Sequence, residues 1–154
     1  HPHAAADGER HEAAFGGARP HVIVRVARIR GSGAVEEGVV VGPGGMAVEG
    51  ETARPSAEAA LHAVIVERTG AASVLHVHSV ANTLLGEHFA PRGGFTLRGY
   101  EMLKGLEGIT THEAEVLMPV LQNSQDMPAL AAELDRLLEE RPRTHGFLLA
   151  GHGR

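Results

Sequence analysis

The stretch Ser56–Val80, SAEAALHAVIVERTGAASVLHVHSV, changes its hydrophobic period halfway along, and that change decides the fold. In its first half Ala57, Ala60, Leu61, Val64 and Ile65 recur at three- and four-residue spacing, which predicts one apolar stripe of an α-helix. Ser56, directly after Pro55, is the expected N-cap, and Gly70 the expected stop. SVLHVH follows, with the β-branched and apolar composition of a strand. A helix leading straight into a strand is the building unit of an α/β protein.

The same alternation extends outward in both directions. Upstream, HVIVRVARIR (21–30) and GVVVGPGG (38–45) predict two strands, with GPGG as a tight turn because no other part of a nucleotide-binding fingerprint accompanies it. Downstream, SVANTLLGEHF predicts a short helix, RGYEMLKGL a helical turn or two, and EVLMPVL a strand. MPALAAELDRLLEERPR is a clear amphipathic helix, with Met127, Leu130, Leu134, Leu137 and Leu138 inward, Asp126 as its cap and Pro128 in the first turn. HGFLLAGHG reads as a closing strand that runs into a glycine turn. The expectation is one α/β or layered α/β/α domain over residues 21–154, preceded by a mobile tail over residues 1–20 that lacks periodicity. His1, His3 and His11 in that tail read as solvated residues.

Composition removes several classes of function. Lys and Arg number 14 against 19 Asp and Glu, a formal charge of -5 without any basic cluster, and aromatic residues make up only 3 %; nucleic acid is therefore not an expected partner. No apolar run approaches the roughly 18 residues of a membrane span, and no secretory signal is visible, so a cytoplasmic protein is expected. With no cysteine, any metal must be held by histidine and carboxylate. Histidine, at 11 residues, is the outlier.

Two of those histidines carry the first chemical signal. In a strand, residues i and i+2 share a face at roughly 6.5–7 Å, so His76 and His78 can converge on one ion while Val77 points into the core. A pair of surface histidines on a half-exposed strand is the plainer alternative. A catalytic zinc site needs a third ligand and an open position, and His62, His88, His112, His145 and His152 are available. His152, between Gly151 and Gly153 just past FLLA, is favoured, whereas His62 sits mid-helix, where packing is the commoner fate. Glu58, in the first turn of a helix, and Glu101 are the acids of interest, since a carboxylate beside a Lewis acid can move the proton next to a carbonyl. Lys104, the only lysine, reads as exposed or ion-paired rather than as a Schiff-base residue.

Taken as words, RPSAEAALHAVIVERTGAASVLHVHSV, GYEMLKGLEGITTHEAEVLMPVLQNSQD and GFLLAGHG resemble the class II aldolase/adducin superfamily, from about Val39 to Gly153. Within it they look most like the dehydratases that take a methylthio-substituted ketose 1-phosphate in methionine salvage. The resemblance implies an α/β/α fold with a central, largely antiparallel sheet, one zinc per subunit, and a homotetramer with sites near subunit interfaces. It implies that His76, His78 and His152 are the zinc ligands, that Glu101 in YEM is the acid/base carboxylate, and that Glu58 in PSAE corresponds to the catalytic glutamate of the sugar-phosphate aldolases. Ser56 falls where those aldolases contact the substrate phosphate. Members normally begin with a helix and a phosphate-binding GN(L/I)S-type loop and continue past GHG, so the domain is expected to be truncated at both ends. An aldolase or epimerase of the same superfamily, and a non-catalytic adducin-like or truncated inactive relative, stand as alternatives.

Overall fold

The computed structural model describes residues 40–50, 54–71 and 74–152. The strand expected in HVIVRVARIR and the tail boundary at residue 20 lie outside the described residues, as does the start of GVVV. GPGG turns the chain as expected: Pro43–Gly45 form a 3-10 turn, and Val41 bridges Ala47 across it.

Helix α1 spans Ala59–Thr69 and ends as expected at Gly70, whose N–H donates to the Val66 carbonyl at 2.9 Å. Its start differs. Ser56 is not the N-cap; Glu58 holds that position, without a side-chain capping bond. The Ser56 hydroxyl accepts instead from the Glu58 N–H at 3.3 Å, and the Ser56 carbonyl accepts from the Ala59 N–H at 3.0 Å. Serine readily closes such local turns, and this one delays the helix by two residues.

Helix α3, Met127–Glu140, is capped by Asp126, which accepts from the Ala129 N–H at 3.0 Å. Its leucines at 130, 134 and 138 fall on one face and are buried with Leu61 of α1 and Leu121, while Met127 and Leu137 pack at the margin. This is the core. The Arg68 guanidinium of α1 pairs with Asp135 across the α1–α3 contact and holds that carboxyl below the usual range. Both groups are over one-third exposed, so the pair adds little to stability beyond fixing how the two helices meet.

The sheet has the order β1-β2-β3 among the described residues. Strand β1, Gly94–Leu97, runs antiparallel to β2, Val116–Leu121, with Phe95 opposite Met118. Strand β3, Leu148–Leu149, runs parallel to β2, and α3 is the crossover between them. The chain is thus α/β, with a small mixed sheet. β1 was not foreseen; GFTL is too short to show a period. Between α1 and β1 lies α2, Val80–Phe89, which packs on β3, and a 3-10 segment at Glu101–Gly105 fills the helical turn expected in YEMLKG. No helix among the described residues is long and apolar enough to cross a membrane.

SVLHVH departs from expectation. Residues 74–79 form no ladder with any described strand, and Val77 does not point into the core: it is 66 % exposed, and Leu75 92 %. A strand exists through its backbone partners, and none of the described strands pairs with this segment.

Because Leu134 is fully buried where α1, α3 and β2 meet, Leu134→Ala is expected to lower unfolding stability by about 2–5 kcal/mol with an unchanged denaturant slope, read by urea titration.

Candidate metal centre

Three segments far apart in sequence end at one point. Glu58 sits at the N-terminus of α1, His76 and His78 on the segment entering α2, and His152 just past β3. Each contributes a ligand atom to a set that lies within 4.8 Å of one another. The plainer alternative, two surface histidines unconnected to the rest, does not describe this arrangement.

Two local devices aim the histidines. Ser79 caps α2 by accepting from the Asn82 N–H at 3.1 Å, so the chain leaves His78 directly into a helix. At the other end Gly151 takes φ 64, a left-handed conformation that a side chain would resist, and turns His152 back toward the cluster. The two segments meet because α2 lies close on β3. A Cβ at Gly86 of α2 would sit 3.1 Å from the Leu149 carbonyl oxygen, tighter than ordinary contact.

Within the cluster Glu58 is the hub. Its Oε2 lies 3.2 Å from His76 Nδ1, and its Oε1 lies 2.8 Å from His152 Nε2. His76 Nε2, on the far side of the ring, faces His152 Nε2 at 3.1 Å. The His78 ring stacks on His76, with centroids 4.7 Å apart, and lies 4.5 Å from His152. Two imidazole nitrogens and a carboxylate oxygen turned toward one another need a positive centre, a proton or a cation. Tetrahedral zinc at 2.0–2.1 Å from each nitrogen would separate its ligand atoms by about 3.3 Å, close to the observed spacing. The donor set, histidine nitrogen and carboxylate oxygen without thiolate, suits a divalent ion of this kind. In that arrangement Glu58 orients His76 through Nδ1 and leaves Nε2 for the ion, the carboxylate–histidine–metal relay that fixes a ligand's tautomer.

Burial reinforces the neutral form that ligation needs. Desolvation holds the His76 imidazole below its ordinary value of 6.5, with Glu58 opposing and His78 and His152 adding to the shift. His62, one helical turn after Glu58 on α1, is likewise lowered by burial first and by His76 second, against Glu58. It is 9 % exposed, its ring centroid 5.7 Å from that of His76, and it borders with Glu58, His76 and His152 a cavity of about 1110 Å³. The sequence reading set His62 aside as helix packing; its i+4 spacing from Glu58 was the available signal of a shared face.

The other predicted residues lie apart from this group. Glu101 is not in the cluster: its carboxylate pairs with Lys104 and lies 3.1 Å from His112 Nδ1, with 68 % of its side chain exposed. Ser56 is adjacent to the cluster only through the Glu58 backbone.

Fold and site together define a class: residues 26–154 match the class II aldolase and adducin N-terminal domain, and the chain belongs to that family. Among its relatives, it is 42 % identical over 132 residues to the methylthioribulose-1-phosphate dehydratase of Sorangium cellulosum, a match covering 85 % of this chain and 62 % of that one. It is 44 % identical over 101 residues to the protein of that name from Alcanivorax borkumensis, covering 65 % of this chain and 47 % of the relative. To that of Xanthomonas euvesicatoria it is 45 % identical over 121 residues, 77 % of this chain and 55 % of the relative. The chain thus spans between 47 % and 62 % of the length of these curated relatives.

Held in chelator, the protein is expected to lose stability as pH falls from about 7.5 to about 5.5, because unfolded imidazoles take up protons near 6.5 while His62 and His76 in the fold do so only at lower pH. His62→Leu should flatten that slope, read as the urea midpoint against pH.

Proposed function

We propose that this chain carries the metal centre of a methylthioribulose-1-phosphate dehydratase, with His76, His78 and His152 holding one zinc ion. The convergence of those histidines with Glu58 is the observation that carries the reading, and the names of the relatives supply the substrate. When bound, the zinc would supply Lewis-acid polarisation of the C2 carbonyl of 5-methylthioribulose 1-phosphate, making the C3 proton acidic. No electron transfer is required, which is why a redox metal is unnecessary.

The rest falls to side chains. Glu58 lies against His76 through Nδ1 and beside the ligand nitrogen of His152, an anion next to both rings. Ser56, beside it, is assigned to the substrate phosphate. Glu101 is assigned the proton on C3: the pair of electrons left behind forms the C2–C3 enediolate, the C4 hydroxyl leaves as water after protonation, and ketonisation gives 2,3-diketo-5-methylthiopentyl 1-phosphate. The exposed Glu101 carboxylate fits a cytoplasmic homotetramer with sites near subunit interfaces, where it would serve the cluster of a neighbouring copy. A three-layer α/β/α arrangement with a largely antiparallel sheet belongs to the same reading.

A second reading has one observation in its favour. Glu58, the residue matching the aldolase glutamate, is the carboxylate in contact with the histidines, and the same electron sink would serve retro-aldol cleavage.

The purified protein is expected to bind one zinc per chain and to convert 5-methylthioribulose 1-phosphate to the diketone, followed by its enol absorbance. Release of dihydroxyacetone phosphate and an aldehyde would replace the dehydratase with the aldolase. Glu101→Gln should lower turnover by about 10²–10⁴ with zinc retained; an unchanged rate removes Glu101 from the mechanism.

A further inference from the structure

The hydroxyl of Thr83 spans the two histidine-bearing segments. Thr83 lies in the first turn of α2, where its Oγ1 is 2.8 Å from the His152 carbonyl oxygen and 3.0 Å from the Ser79 carbonyl oxygen. A hydroxyl has one proton to donate. The Ser79 carbonyl already accepts the Thr83 N–H at 3.0 Å, so the hydroxyl proton is available to the shorter contact, on His152. The two residues are 69 positions apart in the chain, and the group is half-buried, where a hydrogen bond is less exposed to competition from water.

The backbone around His152 gives that contact its importance. The His152 N–H donates to the Leu149 carbonyl at 3.2 Å, which closes the turn through Gly151 from the β3 side. Its carbonyl is held from the opposite side by Thr83. The residue is therefore fixed at both ends, once to the strand that delivers it and once to the helix that Ser79 caps immediately after His78. Without the Thr83 hydroxyl, the turn past β3 keeps its ties to the sheet, Ala150 N–H to Leu121 and His152 N–H to Leu149, and loses its tie to α2 at the His152 carbonyl.

We infer that Thr83 is a positioning residue of the metal centre: its hydroxyl, by donating to the His152 carbonyl, sets the distance between the His76–His78 pair and His152. This rests on the metal reading given under Proposed function. Thr83 touches neither the ion nor the substrate. Its role is to preorganise a ligand, as outer-shell hydrogen bonds do elsewhere, with losses in metal affinity of about 10–100-fold when they are removed.

The test measures zinc affinity by competition with a chromophoric chelator on the full chain of the wild type, T83V, T83S and A131G. T83V keeps the shape and deletes the hydroxyl, T83S keeps the hydroxyl, and A131G weakens α3 away from the site. Expected are one zinc per wild-type chain, about tenfold weaker binding in T83V, and affinities within about threefold of wild type in T83S and A131G. T83A repeats the deletion if T83V does not fold. Wild-type affinity in both hydroxyl-less variants, or an equal loss in A131G, overturns the inference while leaving the metal centre in place. A wild-type chain that takes up no stoichiometric zinc overturns the metal reading itself, and the inference with it.

Discussion

One carboxylate holds this site in shape. Glu58 lies against imidazoles on segments 76 residues apart in the sequence, and it does so from the start of the helix whose Leu61 joins the core. Like-natured rings at 4.5–5.2 Å would otherwise have little reason to share a half-buried space. Partial withdrawal from water penalises protonation of the His76 ring, which favours its neutral form. That is the charge state in which histidine binds a cation.

The scaffold divides its work accordingly. Core packing is concentrated between α1 and α3, where Leu61, Leu130, Leu134 and Leu138 are buried, and α3 contributes no member of the cluster. Its buried face packs against Leu61, Val64 and Ile65 of α1 and against Leu121 of β2, the strand paired with β3. The site then hangs on the ends of these elements: the first residue before α1, the residues ahead of α2, the turn after β3. Rigid elements with chemistry at their termini are the usual economy of α/β proteins, in which the strand ends carry the functional loops.

How much of this was legible in the sequence differed by kind of signal. Long periodic segments were plain: α3 has its leucines, its Asp126 cap and its proline where the pattern put them, and Gly70 ended α1 as expected. Features that depend on tertiary neighbours were not. SVLHVH has strand composition, yet pairing is a property of two segments and cannot be read from one. Ser56 carried every mark of a cap, but its hydroxyl closed a turn two residues early. Thr83 occurs in a helix where nothing in the surrounding sequence distinguishes it, and for His62 the i+4 spacing from Glu58 shows a shared face but not which neighbours that face meets; both relations come from the faces α1 and α2 present after packing. HxH and GHG were legible as candidates, and the meeting of the two, together with the participation of Glu58, is a fact of three dimensions.

The separation of His78 from His152 has a consequence for how the protein is made. Synthesis at about 5–20 residues per second leaves a nascent chain with only its upstream imidazoles for roughly 4–15 s before the last one is added. Two histidines and an acid grip a cation less firmly than three histidines and an acid, so under the proposed metal reading loading would follow the synthesis of β3.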